Sequence, residues 1–126
     1  MLIQSVIWGL REARYCPKFY EVYGIEEKES FVVVTGGSDG IGFSIVNMLA
    51  ARGFNICIIA RNQAKMDEKI AEVRKKYPQI KYMTIVGDFA KMKTMKDYRE
   101  QIANKLKDID IAMLFLNAGV GQMGRL

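Results

Sequence analysis

The feature that most constrains the fold is a glycine-rich loop between an apolar run and an amphipathic one. The run 31–35 (Phe-Val-Val-Val-Thr) is made of aromatic and β-branched residues, a composition typical of a strand buried on both faces. Four glycines follow where a helix is predicted to begin, and three of them carry the argument: Gly36, Gly40 and Gly42. They suit, in order, a tight turn, the approach of a ligand to the backbone, and close packing of helix on strand. The loop therefore predicts a pyrophosphate site at a helix amino terminus.

The rest of the chain alternates apolar strands with amphipathic helices. Further strands are predicted over 56–60, 82–86 and 109–116, and helices over 40–52, 62–77 and about 92–106. This alternation predicts a parallel sheet with right-handed crossovers and strand order 3-2-1-4. The fold class is therefore α/β, the first half of a Rossmann-type doubly wound sheet. Each helix is expected to bury one apolar face. The faces carry Ile41, Ile45, Met48 and Leu49 in the first helix, Met66, Ile70, Val73 and Tyr77 in the second, and Met92, Met95, Tyr98, Ile102 and Leu106 in the third.

Residues 1–29 are predicted to form a separate segment before the half-domain at 30–126. Residues 2–23 suit one or two helices broken near Pro17, and 26–29 a charged linker. The apolar start is too short to span a bilayer, which takes about 20 residues, and lacks the features of a signal peptide. A helix on a membrane surface, with Trp8 and Arg11 at the interface, and a helix packed on protein both remain open, as does the end of a truncated membrane helix.

Composition excludes several kinds of site. The chain has no histidine, so the usual zinc ligand and the commonest general base are missing and no metal site is expected. Its cysteines, Cys16 and Cys57, form no Cys-x-x-Cys pair, which favours a reducing compartment over secretion. The net charge is +5, and we interpret the basic residues between Arg61 and Lys107 as solvated helix faces. No aromatic-interleaved basic run predicts a nucleic-acid site.

Cofactor choice is predicted from the end of the second strand, Ala60-Arg-Asn62. A site for NAD normally carries an acidic residue here, which holds the ribose 2′-hydroxyl. The first acidic residue after this strand is Asp67, well into the next helix. Arg61 instead offers a guanidinium fork to a 2′-phosphate. The pattern favours NADP(H), and the alternative is a surface arginine that opens a helix.

Three motifs, in order on the expected elements, resemble the short-chain dehydrogenase/reductase superfamily over residues 31–120. They are the Thr-Gly-x-x-x-Gly-Ile-Gly loop at 35–42, Asp88 after the third strand, and Asn-Ala-Gly at 117–119 after the fourth. The resemblance implies that Asp88 bonds the adenine amino group and that 117–119 steady the sheet beside the adenosine ribose. The predicted cofactor-binding residues are Gly36, Ser38, Asp39, Gly40, Ile41, Gly42, Arg61, Asn62, Asp88, Asn117, Ala118 and Gly119.

A narrower resemblance extends upstream of the glycine loop. The chain is similar there to the hydroxysteroid dehydrogenase and very-long-chain 3-oxoacyl-CoA reductase branch. The matching segments are Ile-Trp-Gly-Leu at 7–10, Phe-Tyr-x-x-Tyr-Gly at 19–24, Arg-Gly-Phe-Asn at 52–55 and Gly-Asp-Phe at 87–89. The branch implies NADPH dependence and a membrane anchor just before this point. Association with an endomembrane (endoplasmic reticulum) or mitochondrial membrane is therefore expected over free cytosol.

No catalytic residue is predicted in this chain. The family's catalytic Ser, Tyr-x-x-x-Lys and Asn follow the Asn-Ala-Gly motif, and the chain ends at Leu126. A Tyr-x-x-x-Lys string at 77–81 precedes that motif and straddles Pro78, so we interpret it as coincidence. The resemblance implies the NADP(H)-binding part of a carbonyl reductase for 3-oxoacyl-CoA or steroid substrates, whose own enzymatic activity stays open.

Two other roles are kept beside the reductase. The first is a non-catalytic scaffold subunit in a larger, membrane-bound assembly. In either case a missing C-terminal half or a partner chain is expected to cover the edge of the fourth strand. A more distant alternative is RNA or membrane binding through the basic helices.

Overall fold

The fold is built on a four-stranded parallel sheet. The computed structural model describes residue 23 and residues 29–119, so the helices predicted over 2–23 lie almost wholly outside the described residues. The strands are β1 (Phe31–Thr35), β2 (Asn55–Ala60), β3 (Tyr82–Val86) and β4 (Ile111–Leu116). They pair in the order β3-β2-β1-β4. This confirms the predicted Rossmann-type half-sheet.

Helices cover both faces of the sheet. Helix α1 (Gly40–Ala50) and helix α2 (Gln63–Lys76) lie on one face. The segment 95–106, here called α3, lies on the other and consists of an α-helical turn Met95–Tyr98, a π-helical turn Arg99–Ala103 and a short α-helix Asn104–Leu106. Within the described residues, none of the helices combines the length and apolar character needed to cross a membrane.

The core is divided by the sheet. Alternate residues of β1 point to opposite faces, as a strand requires, so Val32 and Val34 contribute to the α1/α2 side and Val33 to the α3 side. All three are fully buried. The central strand is therefore fixed by packing on both faces, and the loop that follows it starts from a rigid base.

The predicted buried face of α1 is wrong at two positions. Ile41 is 75% exposed and Met48 is 45% exposed. The buried residues of this helix are Gly42, Val46, Leu49 and Ala50. The face that packs on the sheet begins at Gly42, and a prediction based on apolar side chains does not count a glycine. In α2 the prediction is confirmed, because Met66, Ile70 and Val73 are buried.

The predicted apolar face of the third helix is also wrong in part. Met92 is buried before the helix begins, whereas Met95 is 77% exposed. Ile102 and Leu106 pack against the core as expected. The physical reason is the π-helical turn, which changes the number of residues per turn and so puts residues before it out of phase with those after it.

Candidate functional site

A cleft of about 830 Å³ opens at the carboxyl ends of the strands. The chain segments that leave β1 and β4 meet there, at the point where the strand order reverses. Ligands of open α/β sheets usually bind at this point. Ten of the twelve predicted site residues line it: Gly36, Ser38, Asp39, Gly40, Arg61, Asn62, Asp88, Asn117, Ala118 and Gly119. The structure thus gathers residues from four separate loops around one space.

Ile41 and Gly42 do not line the cleft. Gly42 belongs to the buried face of α1, and a Cβ added there would lie 2.3 Å from the carbonyl oxygen of Gly36 and 2.6 Å from Asn117 Nδ2. In the structure this glycine lets the helix approach the loop and the start of the Asn-Ala-Gly motif, whereas the sequence predicted close packing of the helix on the strand. Ile41 has a mostly exposed side chain.

The backbone of the glycine loop has the conformation that a phosphate cradle requires. Gly36 has φ +66° and Gly40 has φ +49°, values that residues with a Cβ rarely adopt. Apart from its chain neighbours and the backbone of its own helix, none of the described residues has an atom within 4 Å of a Cβ added to Gly40. The Gly40 N–H donates to the Asp39 carboxylate, the next N–H groups of the first turn of α1 have no partner inside the helix, and this open space lets an anion approach them. These residues therefore fit a pyrophosphate.

Thr35 ties the glycine loop to the end of β4. Its hydroxyl accepts hydrogen bonds from the backbone N–H groups of Asn117 (2.9 Å) and Ala118 (3.0 Å) and donates one to the Phe115 carbonyl (3.2 Å). The Asn117 side-chain amide donates to the Thr35 carbonyl at 3.3 Å and lies 3.5 Å from that of Gly36. The Asn-Ala-Gly motif is therefore held directly against the start of the loop.

Arg61 and Asn62 follow β2 and begin α2. Asn62 is the N-cap of α2, where its Oδ1 accepts a hydrogen bond from the Lys65 backbone N–H at 3.1 Å. Arg61 is exposed and lines the cleft. Its guanidinium makes no hydrogen bond or ion pair with any of the residues that the structure describes. It is available to bind an anion that enters the cleft.

Lys65 is a cleft residue that sequence reasoning missed. It comes from the first turn of α2, and its Nζ lies 2.6 Å from Asp39 Oδ2. The Lys65 ammonium, followed by the Gly40 backbone N–H, lowers the pKa of the Asp39 carboxyl below its usual value. The sequence did contain a signal for a role of Lys65 outside its helix, because a cation in the first turn of a helix opposes the helix dipole.

Asp88 lines the cleft after β3, together with neighbours that sequence reasoning also missed. Its Oδ1 accepts a hydrogen bond from the Ala90 backbone N–H at 3.1 Å, and Lys91 Nζ lies 3.9 Å from Oδ2. Gly87, Phe89 and Ala90 line the same wall. Their adjacency to Asp88 in the sequence could have predicted them, because a loop that turns at the end of a strand brings several consecutive residues to the cleft.

The Tyr-x-x-x-Lys string at 77–81 lies away from the cleft. It precedes β3, at the amino end of a strand whose carboxyl end opens onto the site. Tyr82 donates a hydrogen bond to the Tyr77 carbonyl at 2.8 Å, and Lys81 pairs with Glu29. Neither Tyr77 nor Lys81 is among the lining residues. The interpretation of this string as coincidence agrees with its position.

Comparison with known proteins gives consistent relatives. The short chain dehydrogenase family profile matches residues 30–126. The very-long-chain 3-oxoacyl-CoA reductase of Neurospora crassa is 36% identical over 74% of this chain and 27% of its own length. That of Macaca fascicularis is 37% identical over 71% of this chain and 27% of its own length. The chain therefore spans about a quarter of the length of these relatives.

Solved structures share the fold of the described region. The bulky-bulky ketone specific alcohol dehydrogenase from Comamonas testosteroni is 30% identical, with TM-score 0.65, over 75% of this chain and 36% of that one. A short-chain dehydrogenase from Sphingobium yanoikuyae, solved in complex with NADPH, is 26% identical with the same TM-score, over 77% of this chain and 37% of that one.

Proposed function

Since this chain belongs to the short-chain dehydrogenase family, we propose that it binds NADP(H) as the cofactor-binding part of a carbonyl reductase. The observation that carries the proposal is the exposed Arg61 guanidinium, which lines the cleft at the end of β2 without a partner among the described residues. A planar guanidinium can meet two oxygens of a 2′-phosphate at once.

The other cleft residues are assigned to different parts of the dinucleotide. We assign the pyrophosphate to the loop from Gly36 to Gly40 and the amino end of α1, because backbone N–H groups and the helix dipole favour an anion there. Asp88 is assigned to the adenine amino group, as the family resemblance implies, and residues 117–119 to the wall beside the adenosine ribose. Bound NADPH would supply a hydride, and the residues described here would bind and orient the dinucleotide.

The proposed substrate class is a carbonyl group on a 3-oxoacyl-CoA or a steroid. Support comes from the relatives in Neurospora crassa and Macaca fascicularis, both very-long-chain 3-oxoacyl-CoA reductases, and from the branch-specific segments at 52–55 and 87–89. Because this chain spans only 27% of the length of those relatives, the reaction is proposed for the whole protein, with these residues as its cofactor site.

The experiment is a calorimetric titration of the full chain with NADP⁺ and with NAD⁺. Wild type should bind NADP⁺ more tightly, because a hydrogen bond to a charged group contributes about 1.5–3 kcal/mol, which is about tenfold or more in affinity. Arg61→Ala should erase most of the preference and leave NAD⁺ binding nearly unchanged. Arg61→Asp should reverse it, by repelling the phosphate and accepting from the 2′-hydroxyl.

The matched control is Arg99→Ala, which removes an exposed arginine from α3 that does not line the cleft. It should keep the wild-type ratio of affinities. Equal affinities of wild type for the two cofactors, or an unaltered ratio in Arg61→Ala, would contradict the role of Arg61.

A second candidate is a non-catalytic scaffold subunit. It is favoured by the apolar side chains at the edge strand β4, where Leu114 is 56% and Leu116 is 80% exposed, since exposed apolar edges invite a covering partner. The same titration separates the two candidates. Failure of wild type to bind either dinucleotide would favour the scaffold.

A further inference from the structure

The mouth of the cleft carries an ion pair between two elements that are distant in sequence. Asp39 ends the glycine loop and Lys65 belongs to the first turn of α2, and their charged atoms are 2.6 Å apart. Both line the cleft together with Arg61. A charge on either residue therefore acts on any anion that binds there.

Asp39 has a structural reason for its position. Its Oδ1 accepts a hydrogen bond from the Gly40 backbone N–H at 2.9 Å, which caps α1, and a carboxylate suits the amino end of a helix. The cap nevertheless leaves an anion in the cleft, with a side chain that is 75% exposed. An uncompensated carboxylate here would repel a phosphate.

Helix α2 itself gives no comparable structural reason for a lysine at position 65. As a cation in the first turn it opposes the dipole of α2, and that turn carries no acidic residue to offset it. The capping bond from its backbone N–H to Asn62 would form with any side chain at this position except proline. What its side chain does contact is the Asp39 carboxylate.

We propose that Lys65 is a positioning residue for cofactor specificity, which masks the charge of Asp39 so that a 2′-phosphate can reach Arg61. The inference rests on the proposed function. In this arrangement Arg61 attracts the phosphate, and Lys65 neutralises the carboxylate that would otherwise oppose it. The pair lets the chain keep a carboxylate cap on α1 in a cleft that accepts an anionic ligand.

The test is a set of calorimetric titrations of the full chain with NADP⁺ and NAD⁺. Lys65→Met should lower the ratio of NADP⁺ to NAD⁺ affinity by about tenfold, because the 2′-phosphate carries close to two charges and would then face an unmasked carboxylate. Lys76→Met is the matched control. It makes the same charge change on the same helix, about 16 Å along the axis from Lys65, and should keep the wild-type ratio.

The decisive variant combines Lys65→Met with Asp39→Asn. Asparagine keeps a side-chain oxygen to cap α1 but carries no charge, so the double variant should regain most of the wild-type ratio. Thermal unfolding of each variant monitors folding, and similar midpoints are expected because Asp39 is largely exposed and Lys65 is partly exposed, where an ion pair contributes little to stability.

The outcomes separate this inference from the proposed function. An unchanged ratio in Lys65→Met would overturn the role of Lys65. A reduced ratio that Asp39→Asn fails to restore would also overturn it, and would mean that Lys65 contacts the phosphate itself. In both cases the preference of wild type for NADP⁺ would still stand. If wild type binds neither dinucleotide, the proposed function and this inference fall together.

Discussion

A Cβ built on Gly42 lies 2.3 Å from the carbonyl oxygen of Gly36, so α1 rests on the glycine loop with no room for a side chain between them. This contact fixes the distance between the amino end of α1 and the end of β1. The opening of the cleft depends on that distance, because the loop from Gly36 to Gly40 forms its floor.

Gly42→Ala should therefore destabilise the fold, although alanine is the better helix former. Overpacking of a tight contact costs about 1–3 kcal/mol, and the atoms in the way are backbone. Denaturant unfolding measures the loss. Ile41→Ala, at an exposed neighbour on the same turn, is the control and should change stability little. A Gly42→Ala variant as stable as wild type would show that α1 can move away freely.

The hydroxyl of Thr35 is the second structural determinant of the site. Thr35→Val should leave the part-buried N–H groups of Asn117 and Ala118 without their acceptor, which destabilises the end of β4 because a polar group removed from water and left unpaired is unfavourable. Amide hydrogen exchange should become faster at residues 117 and 118. Thr35→Ser keeps the hydroxyl and should keep most of the protection. Equal exchange rates at residues 117 and 118 in the two variants would argue against these hydrogen bonds to the Thr35 hydroxyl.

Cys57 should respond to alkaline pH through its burial. Desolvation raises the pKa of this thiol to about 12, above its value in the unfolded chain, so the folded state retains a proton that the unfolded state loses. Stability should fall as pH rises from about 9 towards 12. Comparing unfolding of wild type and Cys57→Ala over this range isolates the contribution. An identical pH dependence in the two proteins would contradict it.

Asn62 should contribute to stability as the N-cap of α2. Asn62→Ala removes the acceptor for the Lys65 backbone N–H, and loss of such a cap costs about 1 kcal/mol. Asn62→Ser retains a capping oxygen and should lie close to wild type. Chemical denaturation compares the three proteins. A serine variant as weakened as the alanine variant would indicate that the Asn62 side chain acts by another contact.

The sequence was sufficient for the sheet and for most of the cleft. A parallel strand needs a continuous apolar run, and a doubly wound sheet brings the carboxyl ends of its strands together, so the pattern predicts Arg61 at the cleft, where the family resemblance also places Asp88. Arg61 follows β2 directly, and Asp88 lies two residues after the end of β3. Their positions depend on topology and not on side-chain packing.

The errors arose where packing across elements decides the outcome. Burial of Gly42 in place of Ile41 depends on how closely α1 approaches the loop, and the π-helical turn in α3 left Met95 exposed. Lys65 was missed because its partner, Asp39, is 26 residues away in the chain. No local pattern in either segment shows that the two charges meet.

The position of β1 in the sheet affects the chain while it is being made. β1 pairs on one side with β4, and Phe31 aligns with Ile111, 80 positions later. At a synthesis rate of about 5–20 residues per second, the intervening residues take roughly 4–16 s to appear, whereas local structure forms within microseconds. One edge of the valine-rich central strand thus remains open on the ribosome for seconds. During that interval the unpaired edge of β1 can pair with another chain, which makes aggregation a hazard of synthesis.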